Sequence, residues 1–334
     1  MGEQNVKNAE VLRCEICGEG DFAFLYEGKD RLHHLDGQFG LYRCKTCSLI
    51  TIHPALSDET LGRYYPDDYM NYHNSDGSAE GAPRSKALYY LCHPFKALNC
   101  MVYSKILGQN RPFSPGPGKK VLDVGCGDGA YLLAESAAGV VCYGVDISAK
   151  AIERMQQKDP SIRAHCGTLS DAKFESAFFD AVNMCNVLEH VNDAKGLLRE
   201  GRRILKKDGR IRVQVPNARS LTFSIFRRFW LALDTPRHVY VFSSKNLQRL
   251  FASVGLEVEE WRTIENSYDV IGSSVYVSNA LFRRKDSVPG LRRLWDNEAL
   301  KTLLFPYAMA VNLLKAGDTV EFILKKTEGD VRGA

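Results

Sequence analysis

The amino-acid sequence predicts an α/β fold built on one seven-stranded sheet, with a small cysteine-bearing module ahead of it and a helical insertion before the last strand. Three observations carry this. Apolar runs of four to six residues alternate with amphipathic stretches of about ten, the pattern of βαβ units with parallel strands. A glycine-rich turn, Gly125-Cys126-Gly127-Asp128-Gly129, follows the first of those runs. Two Cys-x-x-Cys pairs, Cys14/Cys17 and Cys44/Cys47, stand 26 residues apart near the N-terminus.

Taken in chain order, the cysteine pairs flank short strand-like runs at 22–26 and 38–43, and a polar, Gly-containing stretch at 71–83 reads as a linker. Aromatic and aliphatic residues then recur at helical steps over 86–107, and the Pro/Gly cluster at 111–118 ends that helix. Strands are expected at 121–124, 141–145, 162–165, 179–184, 210–215, 257–261 and 319–324, with helices at 130–138, 149–157, 194–205 and 244–254. The strand at 210–215 is expected to follow a turn at Asp208-Gly209. These elements divide the chain into a module over 1–70, a linker and helix over 71–118, and a main domain over 119–334. The main domain has a helical cap at 218–235 and an insertion at 264–317.

Composition narrows the class. The 334 residues suit roughly two domains of about 150. With 45% hydrophobic and 25% charged residues the chain is neither disordered nor collagen-like. A net charge of +4 does not point to nucleic acid, and the apolar run at 302–314 is interrupted by Pro306 and too short to span a bilayer. Residues 1–13 lack an apolar core flanked by basic residues, so no signal peptide is expected. Ten cysteines in that setting read as thiols or metal ligands, and the cytoplasm is the expected location.

The glycine turn needs residues without a Cβ so that the backbone can bend sharply and approach a ligand. Asp146 closes the second strand 21 residues after Gly125, the spacing at which a carboxylate meets ribose hydroxyls. Gly125, Gly127 and Ala130 also satisfy the dinucleotide fingerprint, so spacing alone is ambiguous. Charge separates the two: a pyrophosphate favours a helix N-terminus free of acids, whereas Asp123 and Asp128 flank this one. Two carboxylates suit a cationic ligand such as S-adenosylmethionine, which carries an ammonium and a sulfonium.

On these residues, together with Gly144-Val145-Asp146-Ile147-Ser148, Val187-Leu188-Glu189-His190-Val191 and Val215-Pro216-Asn217, the stretch 121–217 resembles the class I (Rossmann-like) S-adenosylmethionine-dependent methyltransferases. The cysteine pairs with Pro236-Arg237-His238-Val239 and Phe242-Ser243 resemble a bacterial subgroup often associated with glycan or surface-polymer biosynthesis. The resemblance implies that Gly125, Cys126, Gly127 and Gly129 meet the methionine part of the cofactor. It sets Asp123 near the ammonium, Asp146 on the ribose and Ile147 beside the adenine, with Asn186 facing cofactor or acceptor. Relatives often show Gly-Asp after the third strand for the adenine amino group. This chain has Gly167-Thr168-Leu169, so a threonine hydroxyl would have to substitute.

Methyl transfer mainly needs alignment, and a base only where the acceptor loses a proton. His190, at the carboxyl edge of the sheet, is the first candidate base; His238, after the cap, is the candidate acceptor contact. Glu189 with His190 could alternatively hold a divalent metal, as in some quinone O-methyltransferases. Cys14, Cys17, Cys44 and Cys47 match a tetrahedral, structural zinc site, and the remaining cysteines read as core residues. His33 and His34, between the pairs, could line the acceptor cleft. The segment 221–231 interleaves arginines with bulky apolar residues, as a core-packed helix or one lying on an anionic membrane would. The expected activity is O-methylation of a sugar, glycan precursor or related biosynthetic small molecule; the expected partner is a small-molecule, sugar or lipid-linked acceptor, with peripheral contact to the inner face of the membrane allowed and nucleic acid not expected. C-methylation of a nucleotide-linked keto-sugar and a non-catalytic cofactor binder are the alternatives.

Overall fold

The computed structural model describes residues 12–65, 113–265, 267–282 and 297–327, with Pro94, Leu98, Met101 and Leu294 as isolated positions. The linker expected at 71–83 and, those positions apart, the helix at 86–107 lie outside the described residues, as do Cys92 and Cys100.

The chain opens with three antiparallel strands, β1 (Phe22–Gly28), β2 (Phe39–Cys44) and β3 (Ile50–His53), followed by a short helix α1 (Asp58–Gly62). The main domain then runs β4 (Lys120–Val124), α2 (Ala130–Ala137), β5 (Val141–Asp146), α3 (Ala149–Lys158), β6 (Arg163–Cys166) and β7 (Phe179–Cys185). It continues through α4 (Ala194–Ile204), β8 (Leu205–Pro216), α5 (Leu221–Phe226), β9 (Tyr240–Val241), α6 (Ser244–Ser253) and β10 (Leu256–Ile264). In the insertion α7 (Tyr268–Leu281), α8 (Glu298–Leu303) and α9 (Phe305–Leu313) precede β11 (Thr319–Lys326).

Seven strands form one sheet in the order β10-β11-β8-β7-β4-β5-β6. The five from β8 to β6 are parallel, and β11 runs antiparallel between β8 and β10. The expected α/β fold, its seven strands and the insertion before the last are thus present. With β5 on one side of β4 and β7 on the other, strand order reverses there, and ligands of open α/β sheets bind at the carboxyl edge of such a switch point. The apolar strand runs supply the core: Phe179, Val182, Met184, Ile211, Val213 and Phe322 are fully buried against Leu198, Ile204, Leu247 and Phe251 from the helices.

Two local details differ from the sequence expectation. Asp208-Gly209 does not precede β8 but lies within it: Phe179 pairs with Leu205 and Ala181 with Arg210, so the residues between bulge out of register. The segment 221–231 is folded mainly inward. Phe223 and Trp230 are buried, while Ile225, Arg227 and Arg228 face solvent, the arrangement of a helix packed on the core.

The N-terminal strands do not stand alone. β3 pairs with β9 through Ile50–Val241 and Thr51–Tyr240, completing a four-stranded sheet that includes a strand of the main domain. Cys14, Cys44, Cys47 and Leu49 share one buried cluster with the main sheet. No helix among the described residues is long and apolar enough to cross a membrane.

Candidate active site

The glycine turn lies where β4 ends. Gly125, Gly127 and Gly129 all have positive φ (69°, 51° and 82°), a region that side-chain-bearing residues avoid. A Cβ on Gly125 would stand 2.7 Å from Val187 Cγ2, so the loop after β7 closes against the turn. The N–H groups of Gly125 and Cys126 donate to the Val145 carbonyl (2.7 and 3.1 Å), curling the turn over the end of β5.

That curl fixes Asp146. Its two carboxylate oxygens accept the Gly127 and Ser148 N–H groups, each at 2.8 Å, leaving further lone pairs for a ligand hydroxyl. Burial raises its pKa, opposed by those two donors. Asp123, also buried, accepts from Asn183 Nδ2 at 2.7 Å. Burial pushes its pKa up to about 7, with Asn183 opposing and the charge of Asp146 adding to the rise. A cation placed beside the pair would relieve this strain. Asp128, the second acid of the sequence argument, instead pairs with Lys158 Nζ at 3.7 Å. The negative field at the turn therefore comes from Asp123 and Asp146. Asn183 was not among the expected site residues; its signal is a lone amide inside an apolar strand.

The other candidates gather at the same edge, on different terms. Ile147 is 61% exposed, an apolar face held in solvent next to Asp146. Asn186, at φ 54°, is exposed, and its backbone N–H donates to Gln214. The Cys126 side chain is buried with Val121 and Leu132, and Leu169 is buried with Tyr143, so neither offers its side chain to a ligand. An apolar group beside a packed strand gains more from the core than from the cleft. Thr168 donates its hydroxyl (2.6 Å) and its N–H (3.0 Å) to Asp171, which these bonds hold below the usual carboxylate range. The acid at this corner is thus Asp171, three residues beyond the position at which relatives show one.

His190 closes a short 3₁₀ turn after β7, and His238 lies 48 residues further along the chain, yet their ring centroids are 4.5 Å apart at 74°. His190 Nδ1 is 2.8 Å from the Tyr65 hydroxyl and 3.1 Å from the Arg237 carbonyl; His238 Nδ1 is 2.8 Å from the Ala232 carbonyl. A carbonyl only accepts, so the Ala232 bond assigns the His238 ring hydrogen to Nδ1 and its lone pair to Nε2. On His190 the Tyr65 hydroxyl and the Arg237 carbonyl share Nδ1: one tautomer donates to the carbonyl and the other accepts the Tyr65 O–H. Burial, with His238 adding, pushes the His190 pKa down to about 3; burial also lowers that of His238. Burial thus favours the neutral form of each ring. Glu189 beside them is 1% exposed with no hydrogen-bond partner on either oxygen, and burial lifts its pKa to about 8. Ligand atoms of Glu189, His190 and His238 lie within 4.8 Å of one another.

Arg237 assembles this corner. Fully buried, it forks onto Asp30 (2.8 and 3.1 Å) and Asp234 (2.6 Å) and donates to the Tyr64 carbonyl at 3.0 Å. Asp30 in turn accepts N–H groups from Leu32, His33 and Leu35, ordering the loop that bears His33 and His34. A separate cavity of about 900 Å³, lined by Phe113, Arg212 and Trp261, lies over the strand faces away from this edge.

The four N-terminal cysteines come together. Cys14 Sγ is 3.3 Å from Cys47 Sγ and Cys17 Sγ 3.5 Å from Cys44 Sγ, all four within 4.8 Å and none in a disulfide. Each pair ends in the same turn, with Gly18 N–H on Cys14 O (2.8 Å) and Ser48 N–H on Cys44 O (2.9 Å) at positive φ. Two equivalent knuckles presenting four sulfurs fit a tetrahedral thiophilic ion. Cys166, expected in the core, is exposed.

Comparison with known proteins matches residues 102–260 to a family described as a methyltransferase domain. A ubiquinone biosynthesis O-methyltransferase of Thiobacillus denitrificans is 31% identical over 158 residues, covering 44% of this chain and 68% of that protein. A probable S-adenosylmethionine-dependent methyltransferase of Mycolicibacterium smegmatis is 30% identical over 148 residues, covering 43% and 54%. Among solved structures, a SAM-dependent methyltransferase from Archaeoglobus fulgidus superposes with a TM-score of 0.45 at 19% identity, over 72% of this chain and 99% of that one.

Proposed function

Because this chain belongs to the class I S-adenosylmethionine-dependent methyltransferases, we propose that it methylates a hydroxyl oxygen of a sugar, glycan precursor or related biosynthetic small molecule. The observation that carries this reading is the pair of imidazoles, His190 and His238, in ring contact after the β7 edge of the sheet, with burial favouring their neutral form.

In this reading Asp123 faces the ammonium of the cofactor, Gly125–Gly129 the rest of its methionine part, and Asp146 its ribose. Ile147 covers one adenine face and Asp171 receives the amino group. The bound cofactor supplies a methyl group already activated by a sulfonium, so the protein contributes alignment and exclusion of water. A hydroxyl oxygen turns strongly acidic as it gains carbon, and a nearby Nε2 lone pair can take the proton without being a strong base. His190 holds that role, and His238 orients the acceptor. Tyr65, bonded to His190, brings the N-terminal segment into the same pocket.

Oxygen as the acceptor atom is supported by the O-methyltransferase among the relatives. The sugar class is supported by the resemblance carried by the cysteine pairs and by Pro236-Arg237-His238-Val239. Zinc on Cys14, Cys17, Cys44 and Cys47 is proposed as structural, since four sulfurs leave no open position.

The test is release of S-adenosylhomocysteine over a panel of hydroxylated sugars and nucleotide-sugars. His190→Ala should lower kcat about 100-fold while leaving cofactor Kd unchanged. Full activity in that variant would remove His190 as base. Absence of turnover over the whole panel would favour a non-catalytic binder.

A further inference from the structure

The His190 ring presents Nδ1 to two partners of different character, and the methyl-transfer reading uses only Nε2. At 3.1 Å stands the Arg237 carbonyl, which can only accept a hydrogen bond. At 2.8 Å stands the Tyr65 hydroxyl, which can also donate one. The Nδ1–H tautomer therefore donates to Arg237 and leaves Nε2 basic, while the Nε2–H tautomer accepts the Tyr65 O–H at Nδ1. Each form satisfies Nδ1 with a hydrogen bond between neutral groups, so neither leaves that nitrogen stranded. His238 makes the contrast: its Nδ1 lies 2.8 Å from the Ala232 carbonyl, a partner that serves one tautomer.

The two partners are held on one scaffold. Tyr65 follows α1, and the Arg237 guanidinium donates to the carbonyl of its neighbour Tyr64 at 3.0 Å. The Tyr64 hydroxyl donates to the Asp36 carbonyl at 2.6 Å, and its ring meets Phe39 edge-on with centroids 5.8 Å apart. Arg237 thus offers its carbonyl to His190 and its side chain to the backbone beside Tyr65. Tyr65 itself stands edge-on to His190, centroids 6.0 Å apart at 61°.

Both tautomers matter to a base in this position. A ring that takes a proton at Nε2 and keeps the one on Nδ1 becomes an imidazolium. Burial opposes that form, the His190 pKa being pushed down to about 3. A ring that releases its Nδ1 proton as it gains one at Nε2 stays neutral throughout. The Tyr65 hydroxyl is placed to receive that proton, and its bond to His190 is only part-buried, so the proton can go on to water.

We propose that Tyr65 is a positioning residue that relays protons away from His190, switching the ring between its two tautomers. This rests on the reading of His190 as the base. In the step, the acceptor O–H breaks and Nε2–H forms as the oxygen takes the methyl group. The Nδ1 proton passes to the Tyr65 oxygen, and the original Tyr65 hydroxyl proton passes to water. One proton leaves for each methyl group transferred, and the new Tyr65 O–H bonds to Nδ1. Exchange with water, which removes no net proton, resets the ring once product has left.

The test is nitrogen-15 NMR of the full-length, histidine-labelled protein without acceptor, the His190 signals being identified by their loss in His190→Gln. Both ring nitrogens of His190 should fall between the protonated and unprotonated limits, the average of two populated tautomers. Tyr65→Phe should move Nδ1 to the protonated limit and Nε2 to the unprotonated one, with the His238 tautomer unchanged. In turnover the same variant should lower kcat at least about tenfold, leaving acceptor KM and cofactor Kd unchanged. A His190 tautomer that does not respond to Tyr65→Phe would overturn the relay, as would an unchanged kcat. The spectra need no acceptor, so they can overturn the relay while leaving the methyl-transfer reading untouched.

Discussion

At the scale of single residues, Asp123 shows how burial and chemistry combine. Its carboxyl is poised near neutrality, up to about 7, because it is buried with Asp146 close by. A cationic ligand is attracted to the ionised form only, so affinity should rise with pH through about 7 and level off above it. One unit below that value the affinity should be about tenfold lower. Asp123→Asn should weaken binding and flatten the profile, both read by calorimetry across pH; an unchanged profile would remove Asp123 from the ammonium site. Asp123, Asp146 and the glycines were legible in the sequence because their chemistry depends on neighbours a few positions away. Asn183 and Asp171 were not. Each matters through a partner, Asp123 across two strands and Thr168 across a turn, and residue identity alone does not announce a partner.

Elements obey local rules where local energetics dominate. Helix α6 begins at Ser243 with a reciprocal cap: the Ser243 hydroxyl accepts the Asn246 N–H at 3.3 Å and the Asn246 side chain accepts the Ser243 N–H at 2.8 Å. Phe242-Ser243, read in sequence as part of a family signature, is thus a buried aromatic followed by a helix cap. Ser243→Ala should cost about 1 kcal/mol, measured by denaturant unfolding, with little change in cofactor affinity. The strands and helices of the sheet were legible because hydrophobic period and caps encode them. The bulge in β8 was not: Asp208-Gly209 carries an ordinary turn signal, and only pairing with β7 on both sides of it makes the segment one strand. In the same way 221–231 reads as amphipathic in sequence, and packing decided which side of it is wet.

At the scale of the whole molecule, the N-terminal module is part of the structure that builds the candidate pocket. Strand pairing between β3 and β9, the buried Asp30–Arg237–Asp234 group and the Tyr65–His190 bond tie it to the histidine pair. Disrupting one end should therefore be felt at the other. Stripping metal from the four cysteines with a chelator should lower the thermal midpoint by on the order of 5 °C or more. It should also reduce turnover, with both restored by added zinc; no change in either would dismiss a structural ion. The amino-acid sequence by itself determined the α/β class, the glycine turn with its neighbouring acids and the cysteine knuckles, since each rests on spacings of a few residues and on backbone rules that hold in any context. Only the tertiary structure decided that His190 meets His238, that Arg237 is a buried hub rather than a surface cation, and that Thr168 is bonded to Asp171. Those outcomes depend on which distant strands pair and which side chains lose water together, and neither quantity is a property of any local stretch of chain.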